Sequence, residues 1–146
     1  ITSPIIGELK PLSQVPDEAF SSESMGKGTA VVPREGKVYA PFDGTVEAIF
    51  PTKHALGLTS SDGIEMLIHV GLDTVELNGE YFTSHISAGE KINKGQLLLE
   101  FDLQKISEKY PIITPIIISN SNEFKSVVSE PAQTVGLESV ILHIEK

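Results

Sequence analysis

The chain has 146 residues, 40% of them hydrophobic, with no cysteine and a net charge of −9 from 20 acidic and 11 basic side chains. That length suits one domain, spanning residues 1–146, that buries a continuous core, and the lack of cysteine excludes a disulfide framework and fits a reducing, cytoplasmic setting. No lysine and arginine run is long enough to track a phosphate backbone, no apolar run reaches bilayer-crossing length, and the start shows no secretory leader, so nucleic acid, direct membrane insertion and export are disfavoured.

The 12 glycines and 9 prolines punctuate the chain at roughly ten-residue intervals, the rhythm of short strands in an all-β domain. Residues 1–4 read as a frayed end or a linker remnant. The first strand is expected at 5–9, followed by a short helix at 17–21 behind Pro16. Strands then follow at 28–32, 37–39, 44–50, 55–59 and 64–69, with alternation plain in Thr45-Val46-Glu47-Ala48-Ile49. Turns fall at Pro41-Phe42-Asp43-Gly44, Ser61-Asp62-Gly63, Asn78-Gly79 and Asn93-Lys94-Gly95, where glycine takes positive φ without a Cβ clash. The Ser61-Asp62-Gly63 turn predicts a hairpin between 55–59 and 64–69. Beyond it come a strand at 96–101, a helix at 103–109 capped by Asp102 and stopped by Pro111, and strands at 112–119 and 138–144.

Two of the four histidines carry chemical interest. In Glu65-Met66-Leu67-Ile68-His69 the two-residue period puts Glu65, Leu67 and His69 on one face and Met66 and Ile68 on the other. His54, in Pro51-Thr52-Lys53-His54, follows a strand end from which a turn can aim its ring toward His69. A neutral imidazole nitrogen is a good nucleophile toward phosphorus near neutral pH. A second imidazole can donate an N–H to the transferring group, and the Thr52 hydroxyl can fix the tautomer of His54. Spacing alone does not decide this, because a histidine near a strand end is more often structural or simply exposed. His85 and His143 have no accompanying polar constellation and read as structural.

Leu67-Ile68-His69-Val70-Gly71-Leu72-Asp73-Thr74-Val75 resembles the active-site signature of the phosphotransferase-system IIA domains of the glucose class. The likeness extends, in order and spacing, through Ala40-Pro41-Phe42-Asp43-Gly44-Thr45-Val46, Phe50-Pro51-Thr52-Lys53-His54-Ala55, Phe101-Asp102-Leu103 and Thr114-Pro115-Ile116-Ile117-Ile118-Ser119-Asn120. The resemblance implies an antiparallel β-sandwich with one or two short helices and two histidines in a shallow apolar depression. It implies that His69 accepts a phosphoryl group on Nε2 from the phosphohistidine of the carrier HPr and passes it to a cysteine of a IIB domain. His54 would be the phosphate-stabilising partner and Thr52 would orient it, with no cofactor and no metal. Leu56, Leu67 and Val70 would form the apolar surround, and Asp73 would lie at the docking surface. Met25-Gly26-Lys27-Gly28 departs from the glucose-type pattern, which often has an acid between the glycines. It resembles the β-glucoside or sucrose-type modules, in which the IIA domain is fused to IIB and IIC membrane portions at the inner face of the membrane.

Three rival readings share some of these features. A regulatory IIA-like domain of a sugar transporter would use the same chemistry as a switch. A zinc peptidase of related architecture would use the His69-x-x-x-Asp73 spacing with His54 as a third ligand, but such enzymes usually add a His-x-His pair that this chain lacks. A biotinyl or lipoyl carrier would explain the Gly89-to-Leu97 segment, yet neither Lys91 nor Lys94 sits in the required hairpin.

Overall fold

Every strand pairing in the molecule is antiparallel. The structure, a computed structural model, describes residues 1–146. In chain order the strands are β1 (Gly7–Lys10), β2 (Lys27–Pro33), β3 (Lys37–Tyr39), β4 (Gly44–Ile49), β5 (Ala55–Ser60), β6 (Glu65–His69), β7 (Phe82–Ser84), β8 (Lys91–Ile92), β9 (Leu97–Phe101), β10 (Thr114–Ile118), β11 (Ser126–Ser129), β12 (Gln133–Val135) and β13 (Leu142–Glu145). Two short helices, α1 (Glu18–Ser21) and α2 (Leu103–Ser107), and 3₁₀ turns at Leu12–Gln14, Thr74–Leu77 and Ser121–Glu123 complete the chain. The main sheet runs β12-β1-β2-β10-β6-β5-β4-β8, and two smaller sheets run β3-β9-β7 and β11-β13. This is the all-β architecture expected from the glycine and proline rhythm and the antiparallel sandwich implied by the resemblance. No helix is long and apolar enough to cross a membrane.

The two faces of the main sheet do different work because side chains alternate along each strand. One row, Ile116, Ile68 and Leu56, lies in register across β10, β6 and β5 and is wholly buried in the main core. The neighbouring row, Ile117, Leu67 and Gly57, points the other way. Over part of that outer face the chain between β1 and β2 folds back, so that Leu12, Val15 and Phe20 pack with Ala30, Leu72 and Ile117 in a second, smaller cluster. The remaining outer face stays open. It forms a groove of about 460 Å³ lined by residues that include Glu47, Phe50, Gly57, Glu65 and Leu67. A register shift in β4 between Val46 and Ala48 leaves both Glu47 and Ala48 exposed beside it, breaking the alternation read from the sequence.

Local signals placed most elements. Asp17 caps α1 by accepting from the Ala19 N–H at 3.0 Å, and Asp102 caps α2 by accepting from the Lys105 N–H at 3.1 Å. The second helix stops at Ser107, short of the expected 109. The predicted hairpin is present, with Ala55 opposite His69 and Thr59 opposite Glu65. Two expectations need correction at the ends of the chain. Residues 1–4 are not frayed: Thr2 bridges Val140, the Ser3 N–H donates to the Ser139 carbonyl at 2.9 Å, and Ser3 is 2% exposed. The last strand begins at Leu142 instead of 138, because the Ser139 N–H and hydroxyl close a turn onto Gly136.

Candidate functional site

The site is built where two strand ends meet on the outer face of the main sheet. His69 is the last residue of β6, and His54 immediately precedes β5 in the adjacent strand position, its carbonyl accepting from the Val70 N–H at 2.7 Å. A tight loop joins β4 to β5. The Lys53 N–H donates to the Phe50 carbonyl at 2.7 Å, the Phe50 N–H donates to the Ala55 carbonyl at 3.0 Å, and Lys53 takes φ of 60°. This loop brings Phe50, Thr52 and His54 together. The imidazoles of His54 and His69 stand edge to face, with centroids 4.8 Å apart and planes at 81°. An aromatic ring flanks each one: Phe50 meets His54 edge-on at 5.4 Å, and Phe20 of α1 meets His69 at 5.1 Å.

Hydrogen bonds to the two Nδ1 atoms set what each ring can do. His69 Nδ1 lies 2.7 Å from the Gly71 carbonyl oxygen, which can only accept. The ring hydrogen therefore sits on Nδ1, and Nε2 of the neutral ring keeps its lone pair. His54 Nδ1 lies 2.6 Å from the Thr52 hydroxyl. A hydroxyl donating there leaves the hydrogen of a neutral His54 on Nε2, the opposite tautomer to that of His69. One ring then offers a lone pair and the other an N–H donor.

Burial keeps both rings neutral. His54 is 3% exposed, and burial first, then the neighbouring His69, pushes its pKa down to about 4. His69 is also lowered by burial, with opposition from the Gly71 carbonyl and from the carboxylates of Asp17 and Asp73. Both imidazoles are thus available in their neutral forms at physiological pH.

The turn after His69 explains why glycine follows two residues later. Gly71 has φ of +74°, and a Cβ there would lie 2.7 Å from Thr74 Cγ2 and 2.9 Å from the Pro111 carbonyl oxygen. Only glycine fits both demands. Asp73 is exposed with φ of 61°, and its side chain makes no capping bond to the 3₁₀ turn that follows.

Of the residues singled out in the sequence, the fold brings together Thr52, His54 and His69, with Leu67 half-buried on the same outer face. Leu56 and Val70 lie elsewhere. Both have zero exposure and belong to the main core, since Leu56 faces Ile68 across β5 and β6. They offer no surface to a partner, and the apolar surround consists instead of Phe20, Phe50 and Leu67. Phe20 and Asp17 were not selected from the sequence, where their only signal was a short helix behind Pro16. His85 and His143 are exposed and pair with Glu100 at 2.7 Å and Glu130 at 3.3 Å. No three His, Asp or Glu side chains converge as a metal-ligand set, so Asp73 does not complete the zinc triad that its spacing from His69 suggested.

The model of the family described as phosphoenolpyruvate-dependent sugar phosphotransferase system, EIIA 1, matches residues 1–124. Among solved structures, the chain is similar to the glucose permease IIA from Mycoplasma capricolum, with a TM-score of 0.87 and 31% identity over 97% of this chain and 92% of that one. Agreement in sequence over most of the chain and in fold over nearly all of it establishes that the chain belongs to the EIIA 1 family of the phosphoenolpyruvate-dependent sugar phosphotransferase system.

Proposed function

We propose that this chain relays a phosphoryl group by way of His69. The HPr phosphohistidine would be the donor and a IIB cysteine the acceptor. The observation that carries this reading is the pair of abutting imidazoles whose Nδ1 atoms are tied to a carbonyl on one side and a hydroxyl on the other.

In the forward step the His69 Nε2 lone pair attacks phosphorus, the Nε2–P bond forms and the P–N bond to the donor imidazole breaks. The electron pair of the broken bond returns to the donor ring. The hydrogen on His69 Nδ1 stays on that nitrogen, donated to the Gly71 carbonyl, so bond formation requires no proton to leave first. His54, held by Thr52, donates its Nε2–H to a phosphoryl oxygen. Transfer between phosphorus ligands leaves the protein mainly to position groups and stabilise charge, which is what this pair is suited to do. Phe20, Phe50 and Leu67 limit water around the labile P–N bond.

Docking would use the open outer face. Phe50 and Val75 are exposed apolar side chains, the groove that Phe50 lines contains Glu47 and Glu65, and Asp73 adds charge. A net charge of −9 favours encounter with a basic partner. We read residues 1–146 as one IIA domain of the cytoplasm or of the inner membrane face. The Gly26-Lys27-Gly28 run supports a β-glucoside-type module joined to IIB and IIC portions.

Incubation with labelled phosphoenolpyruvate, enzyme I and HPr tests the reading. Wild type should gain acid-labile phosphate, and His54→Gln should accept phosphate but transfer it poorly to IIB. An unlabelled wild type would reject the relay, and normal onward transfer by His54→Gln would reject the role of that ring.

A further inference from the structure

The peptide just before the carbonyl that holds His69 Nδ1 is itself held by two buried threonines. Thr114 and Thr74 both have zero exposure. The Thr114 hydroxyl donates to the Ile112 carbonyl at 2.9 Å, and its oxygen faces the Gly71 N–H at 3.4 Å. On the other side of the same turn, the Thr74 hydroxyl donates to the Val70 carbonyl at 2.5 Å, and its methyl group lies where a Cβ on residue 71 would fall. The peptide joining Gly71 to Leu72 is pinned at both poles: its oxygen faces His69 Nδ1 at 2.7 Å, and its N–H donates to the Pro111 carbonyl at 3.0 Å. A donor and an acceptor engaged on one peptide polarise each other, so the Leu72 N–H bond strengthens the Gly71 oxygen as an acceptor.

We infer that Thr114 and Thr74 are positioning residues for phosphoryl transfer: they clamp the 70–72 turn from two elements and so fix His69 in the tautomer that leaves Nε2 unprotonated. The inference rests on the reading of His69 as the phosphoryl acceptor. Neither threonine touches that group; each acts through the Gly71 carbonyl. Two observations separate this role from ordinary packing. β10 continues from Thr114 as Pro115-Ile116-Ile117-Ile118, all buried, so valine would suit the same place if only volume mattered. The hydroxyls also meet opposite poles of one peptide, Thr114 at the Gly71 N–H and Thr74 at the Val70 carbonyl, instead of each other.

Loss of the Thr114 hydroxyl puts a methyl group against the Gly71 N–H and leaves that donor without its partner, which a buried amide tolerates poorly. The turn then shifts, the Gly71 oxygen leaves Nδ1, and the ring hydrogen redistributes between the two nitrogens. A ring with its hydrogen on Nε2 cannot attack phosphorus from that atom.

The test is ¹⁵N NMR of the imidazole nitrogens in unphosphorylated protein, combined with single-turnover phosphorylation by phospho-HPr. In wild type His69 should show a protonated Nδ1 and an unprotonated Nε2. Thr114→Val and Thr74→Val should each move part of the population to the other tautomer and slow phosphate uptake by about tenfold. Thr114→Ser and Thr74→Ser, which keep the hydroxyl, should restore both readouts. A folded Thr114→Val with the wild-type tautomer and wild-type uptake would overturn the assignment for Thr114. If either valine variant fails to fold, the serine variants decide: a wild-type tautomer supports the clamp, and a changed tautomer despite an intact hydroxyl overturns it. Failure of the relay is a separate result, because wild type would then take no phosphate whatever its tautomer.

Discussion

Replacing Gly71 by alanine perturbs the site at its tightest point. An L-residue held in the left-handed region costs about 1 kcal/mol, and the added Cβ would lie 2.7 Å from Thr74 Cγ2 and 2.9 Å from the Pro111 carbonyl oxygen. Forcing a methyl group into a filled interior adds about 1–3 kcal/mol. Pro111 cannot give way easily, since its carbonyl also accepts from the Leu72 N–H at 3.0 Å. The expected loss is about 2–4 kcal/mol, against a total stability of about 5–15 kcal/mol for a domain. With a urea slope of about 2 kcal/mol/M, the unfolding midpoint should fall by about 1–2 M at unchanged slope. Because the same turn carries the carbonyl on His69 Nδ1, phosphate uptake should slow in the protein that remains folded. Equilibrium urea unfolding followed by circular dichroism checks the first effect, and uptake from phospho-HPr checks the second. A midpoint equal to that of wild type would refute the steric reasoning.

Other consequences follow from the same geometry. The folded pKa of His54, about 4, lies below the ordinary histidine value of about 6.5, so between these values the unfolded chain binds more protons and stability falls as pH drops. Urea midpoints at pH 7 and pH 5 should therefore differ more in wild type than in His54→Gln, and equal differences would remove His54 as a cause. Asp17→Asn keeps a good helix cap but removes a carboxylate that raises the His69 pKa, so the His69 titration followed by NMR should move to lower pH; an upward shift would contradict that. Thr52→Val should leave the fold intact and slow onward transfer to IIB by about tenfold, which a stopped-flow transfer assay would detect. Phe20→Ala removes a buried ring and should destabilise by about 3–5 kcal/mol, with faster hydrolysis of phosphorylated protein as water reaches His69.

The sequence was legible where a single strand carried its own signal. β6 could be read because Met66 and Ile68 alternate with Glu65, Leu67 and His69, and the Ser61-Asp62-Gly63 turn correctly joined it to β5. β7, β8, β11 and β12 were not recognised, because they are two to four residues long and exist through pairing with distant strands. Thr114 sat unnoticed inside a predicted strand, since nothing local reveals that its hydroxyl meets a turn after β6. Phe20 and Asp17 reach His69 only because the segment between β1 and β2 folds over the outer face, a long-range event. The resemblance placed Leu56 and Val70 in the surround, whereas strand alternation turns Leu56 into the core.

The central claim concerns one nitrogen of one ring. ³¹P NMR of protein phosphorylated through phosphoenolpyruvate, enzyme I and HPr, together with peptide mapping, tests it most directly. The geometry predicts a single acid-labile phosphohistidine, bonded at Nε2 of His69 and absent from His69→Ala. Phosphate on another residue, phosphate at Nδ1, or label persisting in His69→Ala would contradict it.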